Sequence, residues 1–218
     1  APTNGQLLIG STGAAPTLGT ITGSNNVTVT LGAGTIALSG PKFYSEFTTA
    51  PVNAPSATAS QSIALGTGAV ASKYGEVAIS AGQFTAGGDA QTGIYTLRNI
   101  TTNATPAIAY LDGSSARLTL PTNSAFLFDA NIVARRTDAT GTFGAWNIKG
   151  LVTQDATAAT TTVQGTSRTF IAGSGLNINS VSATADTTNG ALQFNITGVA
   201  AETIRWVITC KTTEVGNA

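Results

Sequence analysis

Histidine is absent from this 218-residue sequence. That removes the commonest general base, the commonest metal ligand and the usual pH switch together. Ser-His-Asp and Cys-His catalytic arrangements go with it. Cys210 is the single cysteine, so no disulfide within the chain and no thiolate metal cluster can form. Methionine is absent as well. With no initiating Met and no signal-peptide pattern at Ala1, the expectation is a processed or excerpted C-terminal part of something longer. Charge is scarce: 9% of residues are charged, against about a quarter in ordinary domains. Ten basic and ten acidic residues cancel, so there is no electrostatic footprint for nucleic acid or an anionic membrane. No run of about twenty apolar residues is present, so membrane insertion is not expected. The glycines punctuate strand-like segments, with no phosphate-loop or dinucleotide fingerprint and no helix to receive a phosphate. No cofactor, metal or enzymatic activity is expected.

What remains is 42% hydrophobic, enough for a core, with Thr, Ser and Asn as the polar complement. Those residues satisfy water without ion pairs, and Thr suits strands. The fold class is therefore all-β. The most informative stretch is Ser62 to Gly88, which reads as two lines of equal length. Ile63 falls on Val77, Ala64 on Ala78, Leu65 on Ile79, Gly68 on Gly82 and Val70 on Phe84. The repeat is 14 residues long, set by the spacing of Ile63 and Val77. A unit this short cannot bury its own apolar face, and stacked repeats need about three copies for stability. Two copies imply neighbours supplied by other chains, hence an oligomer.

Four segments follow. Residues 1–40 read as short strands cut by Gly: Gln6–Ile9, Leu18–Ile21, Val27–Leu31 and Thr35–Leu38. Few large side chains are available there, so an intertwined multi-chain stalk is favoured over a small independent domain. Residues 41–61 form a connector, with the aromatic cluster Phe43-Tyr44-Ser45-Glu46-Phe47 as a packing plug and a stiff Pro51 to Pro55. Residues 62–89 are the two-turn repeat. Residues 90–218 carry alternating strands, clearest at Thr203–Lys211, where Ile204, Trp206, Ile208 and Cys210 share one face. Phe126, Phe128, Ile132 and Ala134 share another, as do Trp146, Ile148 and Val152, and Leu192, Phe194 and Ile196. A hairpin is expected about Asp112-Gly113, joining Ala107–Leu111 to Arg117–Leu120. The sum predicts an antiparallel β-sandwich of jelly-roll type without helices.

Candidate chemistry is sparse. Asp129 with Asp138, or Asp155 with Asp186, would suit glycan cleavage if brought together, but acids spread one per turn are turn residues first. Arg135-Arg136 is the one adjacent basic pair in this domain; on a strand the two point to opposite faces. One is expected in solvent and the other on a carboxylate such as Asp129 or Asp138. Trp146 and Trp206 lie on apolar faces and are expected in the core, with Cys210 beside them as an inert thiol. Tyr110 and Phe143 flank loops and, with Asp112, are the binding candidates.

Three phrases carry a resemblance. Gly5-Gln6-Leu7-Leu8-Ile9-Gly10-Ser11-Thr12-Gly13-Ala14-Ala15-Pro16, followed by Gly23-Ser24-Asn25-Asn26-Val27-Thr28-Val29-Thr30, resembles the repeats of bacteriophage tail fibres. Ser62-Ile63-Ala64-Leu65-Gly66 onward resembles the left-handed β-roll of trimeric autotransporter adhesin heads. Ile132-Val133-Ala134-Arg135-Arg136-Thr137-Asp138 and Ile204-Arg205-Trp206-Val207 resemble a domain at the ends of phage fibres. The resemblance implies an elongated homotrimeric virion fibre: an intertwined stalk, a β-roll collar built on Ile63, Leu65, Gly68, Val77, Ile79 and Gly82, and a terminal knob. It implies attachment to a host surface glycan or protein receptor, with other tail or fibre proteins as further partners. Three alternatives stand beside it: a bacterial surface adhesin, a fibre-borne glycan depolymerase, and a capsid-associated fibre without receptor binding. The polar end Lys211 to Ala218 follows a soluble strand and weakens the adhesin reading.

Overall fold

The computed structural model describes the backbone of four short strands near the N-terminus and all of residues 53–216. The chain divides into two compact units, Ala1–Thr49 and Ala50–Ala218. In the first, β1 (Gln6–Ser11) pairs antiparallel with β2 (Ala14–Thr20), and β3 (Thr28–Gly32) with β4 (Thr35–Ser39). Three of these overlap the expected Gly-bounded strands closely, whereas β2 begins four residues before the expected Leu18–Ile21; the four are arranged as two hairpins. The Phe43–Phe47 cluster lies outside the described residues.

The second unit begins with the repeat. Strands β5 (Ser56–Ala57) and β7 (Val70–Ala71) pair parallel, as do β6 (Ile63–Leu65) and β8 (Val77–Ile79). The register is Ile63 on Val77, Ala64 on Ala78 and Leu65 on Ile79. Successive turns of a coil thus stack at the repeat spacing read from the sequence. Ser56 on Val70 and Ala57 on Ala71 keep the same offset, so the coil starts inside the segment expected to be a connector. Gly66 is the tightest position. Its φ is +86°, and a Cβ there would run into the Ser80 carbonyl, one turn along. Gly68 also has positive φ, with Gly82 and Gln83 against it, whereas Gly82 faces open space and could carry a side chain.

The coil does not stand apart from the sandwich. Strand β8 pairs antiparallel with β9 (Ala90–Thr101), so one edge of the repeat is closed by this same chain. The expectation that other chains supply the missing neighbours is corrected on this side, where β9 is the neighbour.

From β9 the chain crosses to a second sheet through β10 (Pro106–Ala109) and β11 (Leu118–Thr119). It returns for the long antiparallel run β12 (Ser124–Arg136), β13 (Phe143–Gln154) and β14 (Thr162–Ser174). Strands β15 (Val181–Asp186) and β16 (Ala191–Thr197) rejoin the second sheet, and β17 (Ile204–Gly216) inserts between β12 and β9. The larger sheet has seven strands in the order β14-β13-β12-β17-β9-β8-β6, and the smaller has four. Two sheets enclosing one core make the expected sandwich. The jelly-roll expectation is not met: a jelly roll pairs sheets from two Greek keys, whereas β12, β13 and β14 are successive neighbours in one sheet. The Asp112 hairpin is not met either. Strands β10 and β11 lie end to end along β16, because the Asp112 carboxylate gathers the N–H groups of Ser114, Ser115 and Ala116 into a tight loop. Among the described residues no α-helix occurs, only two single 3-10 turns.

Period-2 alternation sets the core. Along β17, Ile204, Trp206, Ile208 and Cys210 are buried and the residues between them exposed. Phe128 meets Phe194 edge to face at 5.9 Å, joining the two sheets. Trp146 stacks on Trp206 at 5.7 Å. The small residues Ala134 and Gly144 leave the room: a side chain on Gly144 would run into the Trp146 ring. Both indole N–H groups are satisfied, Trp146 donating to the Asn177 carbonyl and Trp206 to the Thr101 hydroxyl, each at 2.9 Å.

Candidate functional site

The alternation that builds the core also sends every second residue of the large sheet outward. Register aligns those residues into rows across the strands. At the repeat end, one row runs Leu151, Leu127, Thr213, Thr92, Ile79, Leu65. At the other end, about 27 Å away along β12, a row runs Phe143, Arg135, Arg205, Ile100. Between them lie a charged row, Lys149, Asp129, Lys211, and a polar row, Asn147, Asn131, Thr209, Thr96.

The arginine end holds an open cavity of about 390 Å³, lined by Arg98, Ile100, Asp112, Gly113, Arg205 and Val207 among others. Two of the three binding candidates meet this end of the sheet: Asp112 lines the cavity, and Phe143, 40% exposed, closes the row through Arg135. Tyr110 is half-buried. Its backbone exchanges hydrogen bonds with Arg98 at 2.8 and 3.1 Å, and its ring lies 5.3 Å from the Arg117 guanidinium. Its carbonyl accepts the Gly113 N–H at 3.3 Å, which helps close the Asp112 turn. Arg98 donates to the Asp112 carbonyl oxygen at 2.7 Å, locking that turn against β9. Hydrogen bonds from the backbone of Ser115, then of Ser114 and Ala116, hold the Asp112 carboxyl well below the usual carboxylate range.

The basic pair separates as alternation requires. Arg136 binds Asp138 at 2.8 Å and Glu202 at 2.9 Å, while Arg135 faces solvent. Three of the four acids in the proposed pairs have partners of their own. Asp129 takes Asn147 and Lys149. Asp138 takes Arg136, and Asp186 takes Arg117 at 2.7 Å. Among the described residues no three carboxylate or thiol groups converge to hold a metal ion, and no helix is long and apolar enough to cross a membrane.

Sequence reasoning missed a buried polar joint where repeat meets sandwich. Glu76 is fully buried; one oxygen accepts the backbone N–H groups of Ser72 and Lys73, both at 2.8 Å. The Tyr95 hydroxyl lies 2.8 Å from the other oxygen and 2.6 Å from Glu214 on β17. Gln91 donates to Glu214 at 2.9 Å and to the Val70 carbonyl at 3.1 Å. Burial, then the neighbouring Glu214 and Glu76, push the Tyr95 phenol far up, so it stays protonated. These groups satisfy one another; the joint is structural. The signal available was the polar run at Ser72, Lys73 and Glu76 inside an otherwise apolar repeat.

The repeat residues fall into two sets. Alanines 64, 69, 71 and 78 fill the inside of the coil. The large residues Ile63, Leu65 and Ile79 point outward and are 37–45% exposed.

Acid should weaken the fold. Asp89 accepts N–H groups from Phe84, Thr85 and Ala86 at 2.7–2.9 Å. Those bonds, that of Thr85 foremost, lower its pKa; backbone N–H groups lower Asp112 in the same way, and the Arg136 guanidinium lowers Asp138. A carboxyl with a folded pKa below its unfolded value of about 3.9 stabilises fully above that value and loses the contribution as pH falls through the folded pKa. With no histidine, denaturant midpoints should be flat from about pH 6 to 8 and fall below about pH 4. A midpoint that rises on acidification from pH 5 to 3 would contradict the assignment.

No family model matches the sequence, and no curated protein matches it.

Proposed function

We propose that the chain is a subunit of a homotrimeric virion fibre that attaches to a host surface through its C-terminal sandwich. One observation carries the assembly: the repeat is inverted for a lone chain. It buries alanines and exposes Ile63, Leu65 and Ile79, and the exposed row continues across the sheet into Leu127 and Leu151, which are 57% and 38% exposed. Large apolar residues placed outward in register want a covering surface, and further copies of the chain supply one at the repeat end. The sequence phrases that resemble phage fibres support the virion setting. The arginine end, remote from that row, is left for the receptor, and a trimer presents it three times, so weak single contacts add by multivalency.

Labelled protein applied to a panel of bacterial cells tests attachment. Saturable binding to some strains, displaced by unlabelled protein, is the expected result. Failure to bind any strain of a broad panel counts against the reading.

A further inference from the structure

Arg135 and Arg205 sit directly opposite each other on neighbouring antiparallel strands. Such positions place Cβ atoms about 5 Å apart, and like charges there repel. Most other basic residues of the unit are occupied: Lys73, Arg117, Arg136 and Lys149 are ion-paired, Arg168 binds the Val181 carbonyl and Asn179, and Lys211 stands opposite Asp129 in the charged row. Arg98, Arg135 and Arg205 have no carboxylate partner among the described residues, and Arg98 has only the Asp112 carbonyl. Arg98 lies one row below, opposite Val207. Three of the chain's 10 basic residues therefore stand on adjacent strands of one sheet face: Arg98 and Arg205 line the cavity, and Arg135 is the register partner of Arg205 at its margin. The one carboxylate in the cavity, Asp112, is consumed by its own turn through Ser114, Ser115 and Ala116. Ile100 and Val207, 53% and 49% exposed, give the same cavity an apolar floor.

We propose that this cavity binds an anionic saccharide. Its carboxylate or phosphate lies in the fork between Arg135 and Arg205, Arg98 gives a third contact, and the sugar ring rests on Ile100 and Val207. Guanidinium forks match the paired oxygens of carboxylate and phosphate, and an anion between the two arginines replaces their repulsion with attraction. The cavity volume of about 390 Å³ is in the range of small-ligand sites. The anion chemistry stands on the arginines alone; the saccharide rests on the attachment reading above.

Titration calorimetry of the full chain tests it with trigalacturonate, glucose 6-phosphate, inorganic phosphate and the neutral maltotriose. One or both acidic saccharides should bind at least tenfold tighter than maltotriose, and less tightly as sodium chloride is raised. Whichever of the two binds tighter identifies the anion as carboxylate or phosphate. The double variant Arg135→Gln, Arg205→Gln should weaken that binding at least tenfold with its melting temperature kept, since it removes a repulsion. Lys149→Gln, which loses the same kind of charge on the same face, should bind as the parent does. Equal binding by the double variant, no binding of any anion, or phosphate ion binding as tightly as the saccharides overturns the proposal. Cell binding by the double variant separates the two readings: retained binding alongside lost saccharide affinity leaves attachment standing and removes this cavity as its site.

Discussion

Replacing Ile79 by Asp is expected to release single, folded chains from the assembly. Ile79 is 43% exposed in the chain and lies in register between Thr92 and Leu65. A carboxylate there keeps its water in an isolated subunit, so the subunit should lose less than about 1 kcal/mol of stability. In an assembly that covers the row, the same carboxylate is buried against apolar side chains without a partner. That costs about 3–5 kcal/mol per copy, which weakens association by roughly a hundredfold or more. The measurement is sedimentation at micromolar concentration beside a thermal melt. Thr209→Asp, in the polar middle of the same face, is the control and should leave assembly nearly unchanged. An Ile79→Asp protein that stays assembled would show that the row is not the contact.

Tyr95→Phe should destabilise the subunit by about 2–3 kcal/mol, lowering the melting temperature by roughly 5–10 °C. The ring stays, so packing is unchanged and only the hydroxyl is lost. That hydroxyl lies between Glu76 of the repeat and Glu214 of the last strand. Its one proton bridges the two carboxyl groups, and a buried hydrogen bond to such a group contributes about 1.5–3 kcal/mol, although Gln91 and Thr212 still reach the two oxygens. The loss should concentrate at the joint. Amide exchange in β6 and β8 should speed up, while Ile208 and Phe128 in the main core keep their protection. A melt unchanged to within about 1 °C would mean that the joint does not hold repeat to sandwich.

How much of this was legible in the sequence depends on what sets each feature. The 14-residue register of the coil was readable because like residues stack on like: Ile63 on Val77, Leu65 on Ile79. The inward faces of β12, β13, β16 and β17 were readable from period-2 alternation, and every residue assigned to them is buried. Strand β14 was not, because it is an edge strand with both faces largely exposed and its sequence, TVQGTSRTFIAGS, does not alternate. The docking of β8 on β9 was hidden for a different reason: pairing partners are a property of the whole sheet, and nothing local encodes them. The binding end shows the same limit. Asp112 is legible as a turn residue and Phe143 as a loop-flanking aromatic, but the arginine cluster is not. Alternation places Arg135 and Arg205 on outward faces; only the register of β12 on β17 puts them side by side. Gly66, the tightest turn position, was passed over for Gly82, because sequence shows where glycines recur and not which of them a neighbouring carbonyl crowds.

The account stands most directly on the number of chains that associate. Analytical ultracentrifugation of the full chain in mild buffer should give about 65 kDa, three times the 21.8 kDa of one chain, and hold that mass on dilution to about micromolar, where stable interfaces persist. A folded species of 21.8 kDa at the same concentration, with Ile63, Leu65 and Ile79 in open water, would contradict it.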